Sequence, residues 1–131
     1  MSDGQESRIF VSYKALGLVC NSIPAALRYV IQRKCLKLLT CVGNVVHTFS
    51  CPRMILESVS DPLPAEMNCM AADDHRLYAG CDCYVVVLKI GRYLDSVLKG
   101  HFSPVRLLLP FGRHLISVDE ESRGLVVSIL N

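Results

Sequence analysis

No tryptophan occurs in these 131 residues, and aromatic side chains of all kinds supply only 7% of them. G-x-S-x-G, P-loop and H-E-x-x-H patterns are also missing, so no nucleophile elbow, phosphate-cradling loop or helix-borne zinc site is written into the chain. Charge is only mildly asymmetric, +4 over residues 1–60 and −2 over residues 61–131. Fourteen Lys/Arg against twelve Asp/Glu leave a net +2, too mild for the basic stripe of a nucleic-acid-binding domain. Residues 15–31 are apolar enough to imitate a leader or a membrane span. Asn21, Pro24 and Arg28 interrupt them, however, and the stretch lacks a basic segment, a clean apolar core and a cleavage site, so neither role is read. An even cysteine framework is lacking too. The seven cysteines (20, 35, 41, 51, 69, 81 and 83) form an odd set inside apolar runs, which argues for buried free thiols in a reducing compartment, cytosol or nucleus.

What is present is hydrophobic and periodic. Hydrophobic residues make up 51% of the chain and mean hydropathy is +0.35, a composition suited to tightly stacked, Val/Ile/Leu-rich sheets. Three tracts share one shape, a strand, a short polar turn and a Val-rich strand: Leu39-Thr-Cys-Val-Gly-Asn-Val-Val-His47, Tyr78-Ala-Gly-Cys-Asp-Cys-Tyr-Val-Val-Val87, and the segment from Ile116 to Val127. Their Val pairs, Val45-Val46, Val85-Val86 and Val126-Val127, recur at intervals of 40 and 41 residues. A repeat of that length with four strands per unit is the mark of a WD-type β-propeller blade. The expected fold is therefore all-β: a partial WD-type propeller of about three incomplete four-stranded antiparallel blades, where closed propellers use about 4–8. Residues 1–7 are expected to be a flexible N-terminus and residues 8–131 an incomplete propeller, the first blades of a larger domain or of a truncated product.

Breakers divide the chain further. Strands are expected at 8–13, 16–20, 25–31, 35–42, 45–50 and 54–59, with Gly43-Asn44 as a tight hairpin turn of positive φ and 35–42 buried on both faces. The two prolines of segment 60–64 make it the clearest link. Strands follow at 67–72, 76–80, 84–90 and 93–98. In the third unit they are expected at 102–109, 114–118 and 125–130, with a turn at 110–112, and a further strand is missing.

Chemistry is sparse. Cys81 and Cys83 stand two apart, but structural zinc normally takes four ligands, so core thiols are expected, with no metal and no cofactor. Asp73-Asp74 and Glu120-Glu121 read as solvated turn residues, and no catalytic residue is assigned. The cluster Arg28, Arg33, Lys34 and Lys37 reads first as a solvated strand face and second as a possible partner or RNA contact. Loops 21–24, 60–64 and 119–124 are candidate contact points.

The third unit resembles a WD repeat. In that family a Gly-His dipeptide precedes the first strand. Its His bonds a Ser/Thr on the second strand and an Asp in the next turn, and a third-strand Trp closes the network. The resemblance places Gly100, His101, Ser117 and Asp119 in those roles and the Trp slot at Ser128 or Ile129.

More specific wording runs through Tyr13-Lys-Ala-Leu-Gly-Leu-Val-Cys-Asn-Ser-Ile-Pro24, Leu39-Thr-Cys-Val-Gly-Asn44, His47-Thr-Phe49, Cys69-Met-Ala-Ala-Asp73, Leu109-Pro-Phe-Gly112 and Ile116-Ser-Val-Asp119. In this order the segments resemble the start of the WD repeat-containing protein thirty-six, or U-three snoRNA-associated protein twenty-one, family, the WD-repeat subunit of the small-subunit processome. The resemblance covers about residues 8–127. It implies a nucleolar, non-enzymatic scaffold supporting pre-rRNA processing and small ribosomal subunit biogenesis, here as an N-terminal fragment. The implied partners are other processome proteins and the U-three snoRNA/pre-rRNA particle, without membrane or small-molecule substrate. Two rival readings are an unrelated WD-repeat adaptor (ubiquitin-ligase receptor or trafficking scaffold) and a small thiol- or metal-dependent enzyme.

Overall fold

The computed structural model describes residues 23–89 and 92–128. The strands expected at 8–13 and 16–20, the terminus at 1–7 and the last residues of the final strand lie outside them. Eleven strands run through the described residues. The first sheet holds β1 (Ala26–Val30), β2 (Cys35–Val42), β3 (Val45–Ser50) and β4 (Ile55–Val59). The second holds β5 (Met67–Ala72), β6 (Arg76–Cys81), β7 (Tyr84–Lys89) and β8 (Tyr93–Leu98). The third holds β9 (Val105–Phe111), β10 (His114–Asp119) and β11 (Gly124–Ser128). Every pairing is antiparallel between chain neighbours, so each sheet is a meander. The repeated Val pairs fall on β3, β7 and β11, the third strand of each unit.

Turn chemistry explains the meanders. Gly43, Asp82 and Gly112 open two-residue turns with φ of 60°, 53° and 58°, the positive values that match hairpin twist to strand twist. In the first turn only Gly43 takes the positive φ, not Asn44 as well. Asp82 is among the few side chains that adopt this region readily.

The sheets stack face to face, and alternation along the middle sheet assigns its side chains to two cores. Leu77, Ala79, Cys81, Val86 and Leu88 pack with Leu39, Cys41 and Val46 of the first sheet. Tyr78, Val85 and Val87 pack with Val105 and Leu115 of the third. Burying each such side chain contributes about 1.5–3 kcal/mol. Two-sided burial was expected of β2, but there it is confined to Leu39, Thr40 and Cys41, and Leu36 is exposed. The strands buried on both faces are β6 and β7, because only the middle sheet has a neighbour on each side.

Two other expectations shift. The first strand of the third unit spans Val105–Phe111 rather than 102–109, and its turn is Gly112-Arg113. Pro110 reads as a breaker, yet β9 is the edge of its sheet, where a residue without an N–H is tolerated. The segment 60–64 forms no strand, but it is a packing element: Leu63 is buried, and Ser60 Oγ accepts the Val46 N–H at 2.8 Å.

Gly80 lies where the second sheet packs against Val105 of the third. A Cβ there would sit 2.6 Å from Cys69 Sγ and 3.3 Å from Val105 Cβ. Gly80→Ala is expected to cost about 1–3 kcal/mol through overpacking. A denaturant midpoint equal to that of the unmodified chain would show that the two sheets part freely at this point.

Candidate functional site

The loop after β8 carries Gly100 and His101 over β10. Gly100 passes close to the tip of the Leu125 side chain, where an added Cβ would lie 2.7 Å from Leu125 Cδ1. The His101 ring lies with Nδ1 3.0 Å from Asp119 Oδ2 and Nε2 2.7 Å from Ser117 Oγ. An ionised carboxylate only accepts, so Nδ1 carries the proton and Nε2 accepts from the Ser117 hydroxyl. Asp119 Oδ1 accepts the N–H groups of Glu121 and Arg123 at 2.9 and 3.0 Å, and the Asp119 carbonyl accepts Arg106 Nε at 3.1 Å. Burial pushes the Asp119 carboxyl up. The Arg123 N–H, the His101 ring and the Glu121 N–H outweigh burial and hold the group below its usual range. Of the two positions named for the absent Trp, Ser128 places its hydroxyl 3.3 Å from His114 Nδ1, and Ile129 lies outside the described residues.

The order Ser–His–Asp is that of a hydrolase triad, but burial sets this constellation apart. Ser117 is 4% exposed, His101 8% and Asp119 0%. A nucleophile must meet a carbonyl in an open site with oxyanion donors beside it, and none of the three lines the cleft described below. What the arrangement does is tie the loop before β9 to the turn after β10.

Asp73, expected to be solvated, ties the first two sheets instead. Its Oδ1 accepts the His75 and Arg76 N–H groups at 2.9 and 2.8 Å, and its Oδ2 accepts the Tyr78 hydroxyl at 2.6 Å. Its carbonyl accepts Arg28 Nε across the sheet boundary at 3.0 Å. Burial raises the carboxyl, but the Tyr78 hydroxyl, the two N–H groups and the Arg28 charge hold it low. The only advance sign was the turn itself, since Asp bonds the backbone two residues on. The neighbouring Asp74 is exposed.

Half of the six described thiols sit in the cores, and Cys35, Cys51 and Cys83 are half-buried. Cys41, Cys69 and Cys81 are buried, while Cys83 lies in the β6–β7 turn. Burial pushes Cys69 and Cys81 up to about 11, which leaves them protonated and poor nucleophiles at neutral pH. Among the described residues no group of three His, Cys, Asp or Glu is placed to hold a metal ion.

The four basic residues do not share one solvated face. Arg28 is only 4% exposed, because it alternates onto the face of β1 that meets the second sheet. Burial lowers its guanidinium below the usual value against the pull of Asp73, Asp74 and Tyr78. Lys37 is paired with Glu57. Arg28, Arg33 and Lys37 line a cleft of about 890 Å³ between the first two sheets, joined there by Arg76, Lys89 and Arg92, while Lys34 is exposed and outside it. Two carboxylates, Glu57 and Asp74, face these six basic groups. Arg28 Nη2 and Thr48 Oγ1 are buried, line the cleft and have no hydrogen-bond partner in the protein. Such orphan groups cost about 1–3 kcal/mol each.

No family model matches the sequence. The chain is 33% identical over 115 residues to WD repeat-containing protein 36 of Homo sapiens, a match covering 88% of this chain and 13% of that protein. The chain therefore spans about an eighth of that relative's length. The crystal structure of Saccharomyces cerevisiae Sqt1 superposes with a TM-score of 0.60 at 15% identity, over 81% of this chain and 31% of that one. That likeness is one of fold, and the three stacked meanders form a partial β-propeller.

Two measurements probe the polar ties. His101→Ala should lower the thermal midpoint, because it strands two buried groups, whereas His75→Ala removes an exposed ring and should leave the midpoint unmoved. Equal midpoints would mean that the His101 ring ties nothing. The second measurement is acid sensitivity. The folded-state carboxyl of Asp119 is held low, so its contribution is complete above the unfolded value, about 3.9, and is lost as pH falls through the lower folded value. The stability gap between the unmodified chain and Asp119→Asn should therefore be constant near neutrality and narrow below about pH 4. A gap independent of pH down to acid unfolding would refute the charged contact.

Proposed function

Because the chain belongs to the WD-repeat family, we propose that it is a non-catalytic scaffold segment of the small-subunit processome, supporting pre-rRNA processing in the nucleolus. The observation that carries the scaffold reading is, among the described residues, a pair of exposed apolar faces on the first and third sheets. Leu27, Tyr29 and Leu36 stand exposed on the first sheet, and Leu107, Leu109, Phe111 and Val126 on the third. Cross-strand register places each set on a single face. Contiguous apolar faces of this kind are surfaces on which further protein packs. The processome assignment draws its support from the similarity to WD repeat-containing protein 36, which runs through 88% of the chain. Other processome proteins are the direct partners in this reading, and U-three snoRNA and pre-rRNA belong to the same particle. An unrelated WD adaptor would use the same faces with different company.

Immunoprecipitation from cell extract with an antiserum to residues 61–76 separates the two. U-three RNA enriched in the precipitate, and protein co-sedimenting with pre-ribosomal particles, are the expected results. Charge placed on an uncovered face by Leu107→Glu with Leu109→Glu should release the chain from those particles without lowering its thermal midpoint. Recovery as free protein without that RNA would remove the processome role and leave the adaptor.

A further inference from the structure

We propose that the cleft between the first two sheets captures a phosphorylated side chain presented by a partner protein. Three features of the cleft point this way. Basic groups predominate along it: Arg28, Arg33, Lys37, Arg76, Lys89 and Arg92 line it with Glu57 and Asp74, while Asp73 stands beside Arg28 and Asp95 pairs with Arg76 at 3.9 Å. The wall is also built from buried donors. Arg28 Nε is held by the Asp73 carbonyl, which orients the guanidinium, while its Nη2 is left without a partner. Thr48, 5% exposed, presents a second unpartnered group, its Oγ1. A phosphate monoester brings a charge of about −2 and three strong acceptor oxygens, enough for the guanidinium, the hydroxyl and a neighbouring ammonium together.

The third feature is the lining. Among the described residues no Phe, Tyr or Trp ring lines the cleft, whereas single-stranded nucleic acid is held by stacking its bases on such rings. A monoester phosphate at the tip of a side chain enters a recess more readily than a phosphodiester flanked by sugars on both sides. The occupant is therefore a phosphopeptide rather than RNA. Capture of this kind requires neither ribosomal RNA nor a processome partner.

The test is a titration of the isotope-labelled 131-residue chain, followed by amide shifts. The probes are a six-residue peptide with one phosphoserine, its unphosphorylated counterpart, inorganic phosphate and a six-nucleotide single-stranded RNA. The phosphopeptide should saturate, with its shifts centred on Arg28, Lys37, Thr48 and Arg76, and the unphosphorylated peptide should not. Lys89→Gln with Arg92→Gln changes exposed positions and should weaken the phosphopeptide about tenfold. Lys34→Gln, equally exposed but outside the cleft, should leave affinity unchanged. Equal thermal midpoints for these variants separate lost binding from lost folding. No saturable shift, equal weakening by Lys34→Gln, tighter binding of the RNA, or binding of free phosphate with exclusion of the phosphopeptide would each overturn the proposal.

Discussion

Burial of the middle sheet on both faces is the constraint on which the rest depends. A single four-stranded meander must bury its apolar face against another layer. Here β6 and β7 are buried along nearly their whole length because Leu39, Cys41 and Val46 close one side and Val105 and Leu115 close the other. Gly80 belongs to the same constraint. It stands two residues before Asp82 as Ser117 stands two before Asp119, and it has no side chain because Cys69 and Val105 fill the space. The middle unit thus keeps its sheets close where the third unit keeps a hydrogen bond. One period of sequence is held by two different means.

Periodicity and punctuation made most of the fold legible. The Gly43-Asn44 turn and the two prolines of 60–64 bracket β2, β3 and β4, and the bounds expected for β2, β5 and β8 coincide with the observed strands. Pro110 misled because a breaker in the chain is not a breaker at a sheet edge, and edge position is a tertiary fact. His101, Ser117 and Asp119 were nameable in advance because a repeat family puts them at recognisable spacings. The cleft was not, because it is made by juxtaposition: Arg28 and Lys37 come from the first sheet, Lys89 and Arg92 from the second. Sequence showed the first pair as part of a mild basic cluster and gave no sign of the second.

The buried Ser–His–Asp arrangement shows how little a constellation means without its surroundings. Its distances would serve general-base catalysis, and its tautomer follows the same logic as in a hydrolase. Burial turns the same bonds to another purpose. With the carboxylate wholly enclosed and its other oxygen taken by two N–H groups, the ring cannot shuttle a proton to anything outside. It holds one tautomer and one rotamer, and so fixes the entry to β9.

The apolar core and the charged cleft are two parts of one interface. On the first sheet, Ala26, Leu39, Cys41 and Val46 pack against the second sheet, and one alternation further along, Arg28, Lys37 and Thr48 take the same side. An all-apolar face would seal the sheets from end to end and be more stable. Instead, the interface carries an arginine whose Nη2 has no partner and a threonine in the same condition, at a cost that the neighbouring apolar contacts must offset. A buried guanidinium tied to the Asp73 carbonyl can specify how the two sheets meet, but that role needs only the Nε that makes the bond. The unpartnered Nη2 and Thr48 Oγ1 add nothing to registering the sheets. Both atoms sit beside the basic groups that line the cleft, where the phosphate capture proposed above would meet them.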